Sequence, residues 1–169
     1  MQLVRVNDKT IETLKRRRAM LEDRMNVKVS FRDNGVEVVG DPVNEYVAKD
    51  VIRAIDLGYN VKDALMLLEE GYTLRVIDLK RMNLSRSTIR RQLARVIGEH
   101  GSAIERFERK GHVKLKISGH NIGVLGLYED VEILVEALLR LISGSPHKNV
   151  YRFIDEAETQ KEVKEMYGY

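Results

Sequence analysis

The chain has 169 residues, 43% of them hydrophobic and 33% charged, which suffices for a packed core and excludes disorder as the overall class. No apolar run approaches the eighteen or so residues of a membrane span. The opening Met1-Gln2-Leu3-Val4-Arg5-Val6 has no signal-peptide character. Cysteine is absent and four scattered histidines follow no metal-ligand spacing, so a cytoplasmic protein with no cofactor and no metal is expected. Net charge is only +3, yet residues 86–118 hold nine Lys/Arg against three Glu, while residues 119–169 hold five bases against nine acids. One central segment therefore carries the basic potential, as expected opposite a phosphate backbone.

Leu3, Val4 and Val6 predict a first strand. Residues 9–25 predict a helix with Ile11, Leu14, Leu21 and Met25 on its apolar side. Val27, Val29 and Phe31 alternate with polar residues and predict a half-buried strand. Asn34-Gly35 predicts a hairpin turn, and Val36, Val38 and Val39 the returning strand. Asp41-Pro42 opens a helix that Gly58 closes, and a short helix follows from an Asn60 cap to Gly71. Residues 72–79 predict another strand. A helix at about 86–97 carries Ile89, Leu93, Val96 and Ile97. After Gly98–Gly101 a second helix, with Ala103 and Phe107, runs to Gly111. Val113, Leu115 and Ile117 form a strand, Gly119-His120-Asn121 a turn, and Ile122–Leu125 the next strand. A long helix follows, with Val131, Leu134, Val135, Leu138, Leu141 and Ile142 as its core stripe.

The order β-α-α-β-β-α thus appears twice, in residues 1–58 and 72–143, an internal repeat of architecture. The expected fold class is α+β. Two tandem type I KH modules are predicted, each a three-stranded sheet with helices on one face. The domains are residues 1–71, a degenerate module with its linking helix, and residues 72–169, a module with a C-terminal tail or helix.

Gly98-Glu99-His100-Gly101 sits between two helices, with two strands and a helix to follow. That is the layout of a KH domain, whose G-x-x-G loop clamps a single strand across about four nucleotides. Glycine lets the backbone approach phosphates closely, and the helix that Ser102 opens adds free N–H groups. Arg90, Arg91 and Arg95 on the preceding helix, Arg106 after the loop, and Lys114 and Lys116 on the next strand can neutralise phosphates. Ile97 is read either as core or as part of the groove floor. The first module has no such loop, since alignment through Ile11 puts Glu12-Thr13-Leu14-Lys15 in its place.

Arg95–Gly101, Ser118–Gly123 and Ser145–Ile154 resemble the KH proteins of small-ribosomal-subunit assembly. These are the archaeal and eukaryotic relatives of the partner-of-Nob and Krr proteins, and an archaeal member is expected. Pro146-His147 and Val150-Tyr151-Arg152-Phe153 carry the likeness most specifically, because an ordinary KH domain has no such tail. Ala48–Ile55 and Val76–Leu79 extend it. The resemblance implies a non-catalytic protein that binds single-stranded small-subunit ribosomal RNA near its 3′ end. Its implied partners are ribosome-assembly proteins, including the endonuclease that trims that end, and no membrane. Family loops usually hold basic residues where Glu99 and His100 stand. The alternative is a KH-fold scaffold that docks proteins with little RNA contact. An enzyme is not expected, since there are no paired carboxylates beside a metal motif, no nucleophile with its base and no phosphate-binding loop of the Walker type.

Overall fold

The computed structural model describes residues 1–33 and 35–168. The turn expected at Asn34-Gly35 therefore lies in part outside the described residues. The chain divides into two units, Met1–Tyr72 and Thr73–Tyr169. The fold is α+β and KH-like, with two three-stranded sheets and their helices.

The first unit begins with β1 (Gln2–Val4) and α1 (Asp8–Met25), followed by β2 (Val27–Arg32), β3 (Gly35–Gly40) and α2 (Pro42–Leu57). A one-turn helix α3 (Val61–Ala64) and a 3₁₀ turn (Leu65–Leu68) complete it. Asn7 caps α1 by accepting from Thr10 N–H, and Leu14, Leu21 and Met25 are its buried stripe. The sheet order is β1-β3-β2, antiparallel, with Leu3 opposite Glu37 and Val29 opposite Val38. At Gly35 a Cβ would lie 2.2 Å from the Val4 carbonyl oxygen, so only glycine lets β1 approach there.

The repeated order expected of residues 1–58 would put two helices between the first two strands, whereas the structure has there the one helix that residues 9–25 predict. A single unbroken α1 joins β1 to β2, so the first unit reads β-α-β-β-α. The physical reason is local: residues 8–25 contain no glycine or proline and are rich in Lys, Arg, Glu and Leu, so nothing breaks the helix.

The second unit runs β4 (Tyr72–Asp78), a 3₁₀ turn (Leu79–Met82), α4 (Arg86–Ile97), the Gly98–Gly101 segment, α5 (Ser102–Gly111), β5 (Lys114–Ser118), β6 (Asn121–Leu127), α6 (Tyr128–Ile142) and α7 (His147–Tyr167). Its sheet order is β4-β6-β5, with Leu115 opposite Val124 and the Ser118–Asn121 pair closing the turn. Phe107, Leu134, Leu138, Leu141 and Ile154 are fully buried in its core, each worth about 2–3 kcal/mol of transfer free energy. The segment expected as a C-terminal tail or helix is the helix α7. It is the longest helix described, at 21 residues, and it buries Val150, Tyr151 and Ile154. Lys161 Nζ holds the buried Asp130 carboxylate at 2.7 Å and fastens α7 to α6. Beside them, Glu158 Oε1 is buried without a hydrogen-bond partner. Burial first, and the Asp130 charge second, push the Glu158 carboxyl above its ordinary range.

The two units repeat their details at a constant separation of 86 positions. The helices before the second strand end in left-handed residues, Asn26 and His112. Glu22 and Glu108, on those helices, accept from Val29 and Leu115 N–H, at 2.8 and 3.4 Å, on the edge strands. That backbone hydrogen bond is the main reason the Glu22 carboxyl sits below its ordinary value. Gly40 and Gly126 each face the strand opposite, against Val27 and Val113. Gly58 and Gly144 follow the ends of α2 and α6 with φ of 105° and 111°.

Candidate nucleic-acid interface

Ser85 caps α4 by accepting from Thr88 N–H at 3.2 Å. The helix is amphipathic, with Val96 and Gln92 buried and Ile89 and Leu93 packed against the core. Ile97 departs from the stripe: it is 38% exposed, at the lip of the loop. An exposed branched apolar side chain beside a G-x-x-G loop suits a base lying flat better than it suits core packing.

The loop is held by backbone geometry. Gly98 N–H still donates to Ala94 O at 2.8 Å, and Gly101 N–H donates to Gly98 O at 3.3 Å. Three of the four residues have positive φ: Gly98 (74°), His100 (54°) and Gly101 (78°). The two glycines are needed for different reasons. A Cβ on Gly98 would lie 2.6 Å from Ala103 Cβ and 2.7 Å from its backbone nitrogen, so α4 and α5 meet there too closely for any side chain. A Cβ on Gly101 would have nothing nearer than the Ile104 side chain at 3.9 Å; there glycine serves the left-handed backbone and leaves open space outside it. The side chains of Glu99 and His100 are 89% and 93% exposed and only loosely paired, at 3.8 Å. Helix α5 has no side-chain N-cap; Ser102 N–H donates to Glu99 O, and the positive end of the helix dipole faces the loop with no capping side chain.

The predicted basic residues separate into groups. Arg90 and Arg91 are exposed on α4 and, among the described residues, make no ion pair. Arg95, expected to face phosphates, is engaged elsewhere. Its guanidinium donates to Leu141 O (2.5 Å), Ser145 O (2.6 Å) and Gln92 Oε1 (3.0 Å), closing the C-terminal carbonyls of α6. In return His147 Nε2 donates to the Arg95 carbonyl oxygen at 2.7 Å, capping the last turn of α4 just before the loop. Arg106 lies exposed over the Tyr151 ring at 4.2 Å, and burial raises the Tyr151 phenol above its usual range against the pull of that cation. Lys114 and Lys116 alternate with the buried Leu115 and so lie on the sheet face turned away from the core. Of these two, Lys116 is the exposed one.

The sequence reading missed His147 and Tyr151 as parts of this site. Phe107, Tyr151 and His147 form a ring cluster, with centroids 5.0–6.4 Å apart, beneath the α4–α5 junction. The spacing of His147, Val150, Tyr151 and Ile154 carries the helical period that would have revealed one face of α7. Among the described residues no cluster of three or more His, Asp or Glu could hold a metal ion, and no helix is long and apolar enough to cross a membrane.

Residues 73–159 match the model of the second KH domain of PNO1, a eukaryotic type KH-domain (KH-domain type I). A KH domain-containing protein of Methanocaldococcus jannaschii is 33% identical over 147 residues, which cover 83% of this chain and 64% of that protein. The pre-rRNA-processing protein pno1 of Aspergillus fumigatus is 25% identical over 136 residues, covering 76% and 54% respectively. The chain thus spans between about half and two thirds of the length of these relatives. A solved complex from Pyrococcus horikoshii, described as a/eIF2alpha, aDim2p and rRNA, contains a chain that superposes with a TM-score of 0.83 at 25% identity, covering 94% of each chain.

Proposed function

This chain belongs to the PNO1 family of KH-domain proteins, and on that premise we propose that it binds single-stranded ribosomal RNA of the small subunit, near its 3′ end, during ribosome assembly. The observation that carries the reading is the loop itself. Gly98 and Gly101 hold a backbone that no other residue pair would hold at the same cost, ahead of an uncapped helix and beside the exposed Ile97. Such a segment offers N–H groups to phosphates and an apolar lip to a base, which is single-strand chemistry. Arg90, Arg91, Arg106 and Lys116 supply charge around it, and the contribution of Arg95 is to hold the loop in place. The relatives' names and the rRNA in the neighbouring complex support an RNA partner. The 3′-end endonuclease is a partner proposed from the family resemblance. No catalytic role is proposed.

We read the first unit as a second KH module that lacks its loop. The features repeated 86 positions apart support this, and they set Glu12–Lys15 opposite Gly98–Gly101. In that module the counterpart of α4 is missing as well, so the clamp is assigned to the second unit.

The test changes Glu99 and His100 together to Asp. Both side chains point into solvent, and aspartate tolerates the left-handed backbone at position 100, so the melting temperature should hold. Two short carboxylates facing phosphates should abolish binding to a single-stranded 3′-end oligonucleotide. Wild-type binding should fall steeply with salt and favour an unpaired strand over a stem. A doubly changed protein that binds as wild type does would remove the loop from the site.

A further inference from the structure

In the second unit α5 and α7 close on each other. Lys110 Nζ lies 2.7 Å from Asp155 Oδ1, and Arg106 stacks on Tyr151. The residues 86 positions earlier are Arg24 and Glu69, and Met20 and Leu65, on α1 and the segment after α2. There, among the described residues, no ion pair joins Arg24 to Glu69. These four residues instead line an open cleft of about 450 Å³. The elements on that side also differ in length: α7 has 21 residues, whereas α3 and its 3₁₀ turn have four each.

The cleft has a definite chemistry. Arg17, Arg24 and Lys62 stand around it against one acid, Glu69. Among the described residues these three cations make no hydrogen bond or ion pair. On another side of α1 the cations are engaged, with Lys15 and Arg18 over the Phe31 ring at 5.5 and 5.9 Å and Arg18 paired with Glu22 at 3.3 Å. The floor of the cleft is Met20, Leu65 and Met66, and Met20 is 36% exposed. Arg17 and Arg24 are seven residues apart on one helical face, about 10 Å along the axis.

We propose that this cleft docks an acidic amphipathic helix of a partner protein, which takes in the first unit the place that α7 fills in the second. The internal counterpart supplies the pattern: there the cation on α5 meets a carboxylate on the helix laid against it. An apolar floor with a basic rim is the complement of a helix whose apolar stripe is flanked by Asp and Glu. Methionine adapts its shape to such a stripe. RNA is the poorer occupant. Single strands bind by stacking bases on aromatic rings, the cleft lining contains none, and Phe31 is covered by Lys15 and Arg18. The proposal is independent of the RNA reading of the second unit.

The experiment uses the full chain with methyl-labelled methionine. Met20 and Met66 report the cleft, and Met82 in the second unit serves as the internal control. The probe is a synthetic helical peptide with leucine at i, i+4, i+7 and i+11 and flanking glutamates. Its controls are the same peptide with lysine for glutamate, and a single-stranded RNA oligonucleotide. The acidic peptide should shift the Met20 and Met66 methyl signals saturably and leave Met82 in place; the lysine peptide and the RNA should not. Arg17→Glu with Lys62→Glu, both exposed positions, should weaken the peptide by about tenfold or more while RNA affinity stays within about threefold. The preserved RNA affinity also reports that the variant is folded. The proposal is overturned if the acidic peptide leaves both methyls unmoved, if charge reversal does not weaken it, or if the oligonucleotide moves those methyls as strongly, which would make the cleft an RNA surface.

Discussion

Residues 12–15 and 98–101 lie 86 positions apart, the separation at which other details of the two units repeat, and they differ in backbone. The first set lies inside the unbroken α1. The second splits α4 from α5 with three residues of positive φ. Breaking a helix this way forgoes about 1 kcal/mol for each glycine and a comparable amount for the left-handed His100. The second unit offsets that loss on both sides of the break. Arg95 and His147 tie the end of α4 to the end of α6 and the start of α7, and Phe107 and Tyr151 fill the space below. Among its described residues the first unit has no break in α1, no second helix before β2 and no long helix after α2. The exposed loop backbone and the helices that brace it thus occur together in the second unit.

The largest expected effect separates the two glycines. Gly98→Ala drives a methyl into Ala103 at 2.6–2.7 Å and should cost about 3 kcal/mol or more, with loss of RNA binding. Gly101→Ala meets open space and should cost only about 1 kcal/mol. Chemical denaturation of the two variants gives the comparison, and equal costs would mean that the close α4–α5 approach is not what fixes the loop.

Arg95→Met comes next. It keeps the aliphatic stem but removes the donors to Leu141 O and Ser145 O, which should destabilise the protein by about 2–3 kcal/mol. RNA affinity should drop as well, although the guanidinium is engaged by protein acceptors. Arg95→Lys should restore only part, because one ammonium lacks the planar fork that reaches both carbonyls. An Arg95→Met protein of unchanged stability and reduced affinity would instead make Arg95 a direct RNA contact.

The converse change places glycines in the first unit, at Glu12 and Lys15. It should destabilise α1 by about 1–2 kcal/mol and add no RNA affinity, since no second helix stands beside the new loop. A measurable gain in oligonucleotide binding would show that glycines alone make the clamp.

The smallest effect is at Glu158. Its carboxyl is raised in the folded protein by burial and by Asp130, so folding favours the protonated form. The associated penalty is absent below the unfolded pKa, near 4.3, and is imposed as pH rises through the higher folded value. Glu158→Gln should therefore stabilise the protein at neutral pH by about 0.5–1 kcal/mol and have little effect near pH 4. Thermal melts at the two pH values check this, and a benefit that persists unchanged at pH 4 would refute the electrostatic cause.

The sequence by itself determined whatever depends on near neighbours along the chain. Period-two and period-3.6 hydrophobicity placed the strands and helices, Asp41-Pro42 and Gly58 bounded α2, and glycines at 98 and 101 marked the loop, because caps, turns and amphipathic faces are settled within a few residues. The same locality explains the error in the first unit. Architecture was matched by order, which assigned two helices to this stretch although residues 9–25 read as one uninterrupted run of helix formers. Only the tertiary structure decided the fate of Arg95, which looks like one more basic residue on a basic helix. Its acceptors lie 46 and 50 residues away, where no local pattern reaches. It likewise decided that Ile97 leaves the core stripe, that Lys114 and Lys116 turn to the far face of their sheet, and that the C-terminal helix packs against α5 and α6. Each depends on which distant backbone or ring arrives beside the residue, and that is fixed by packing.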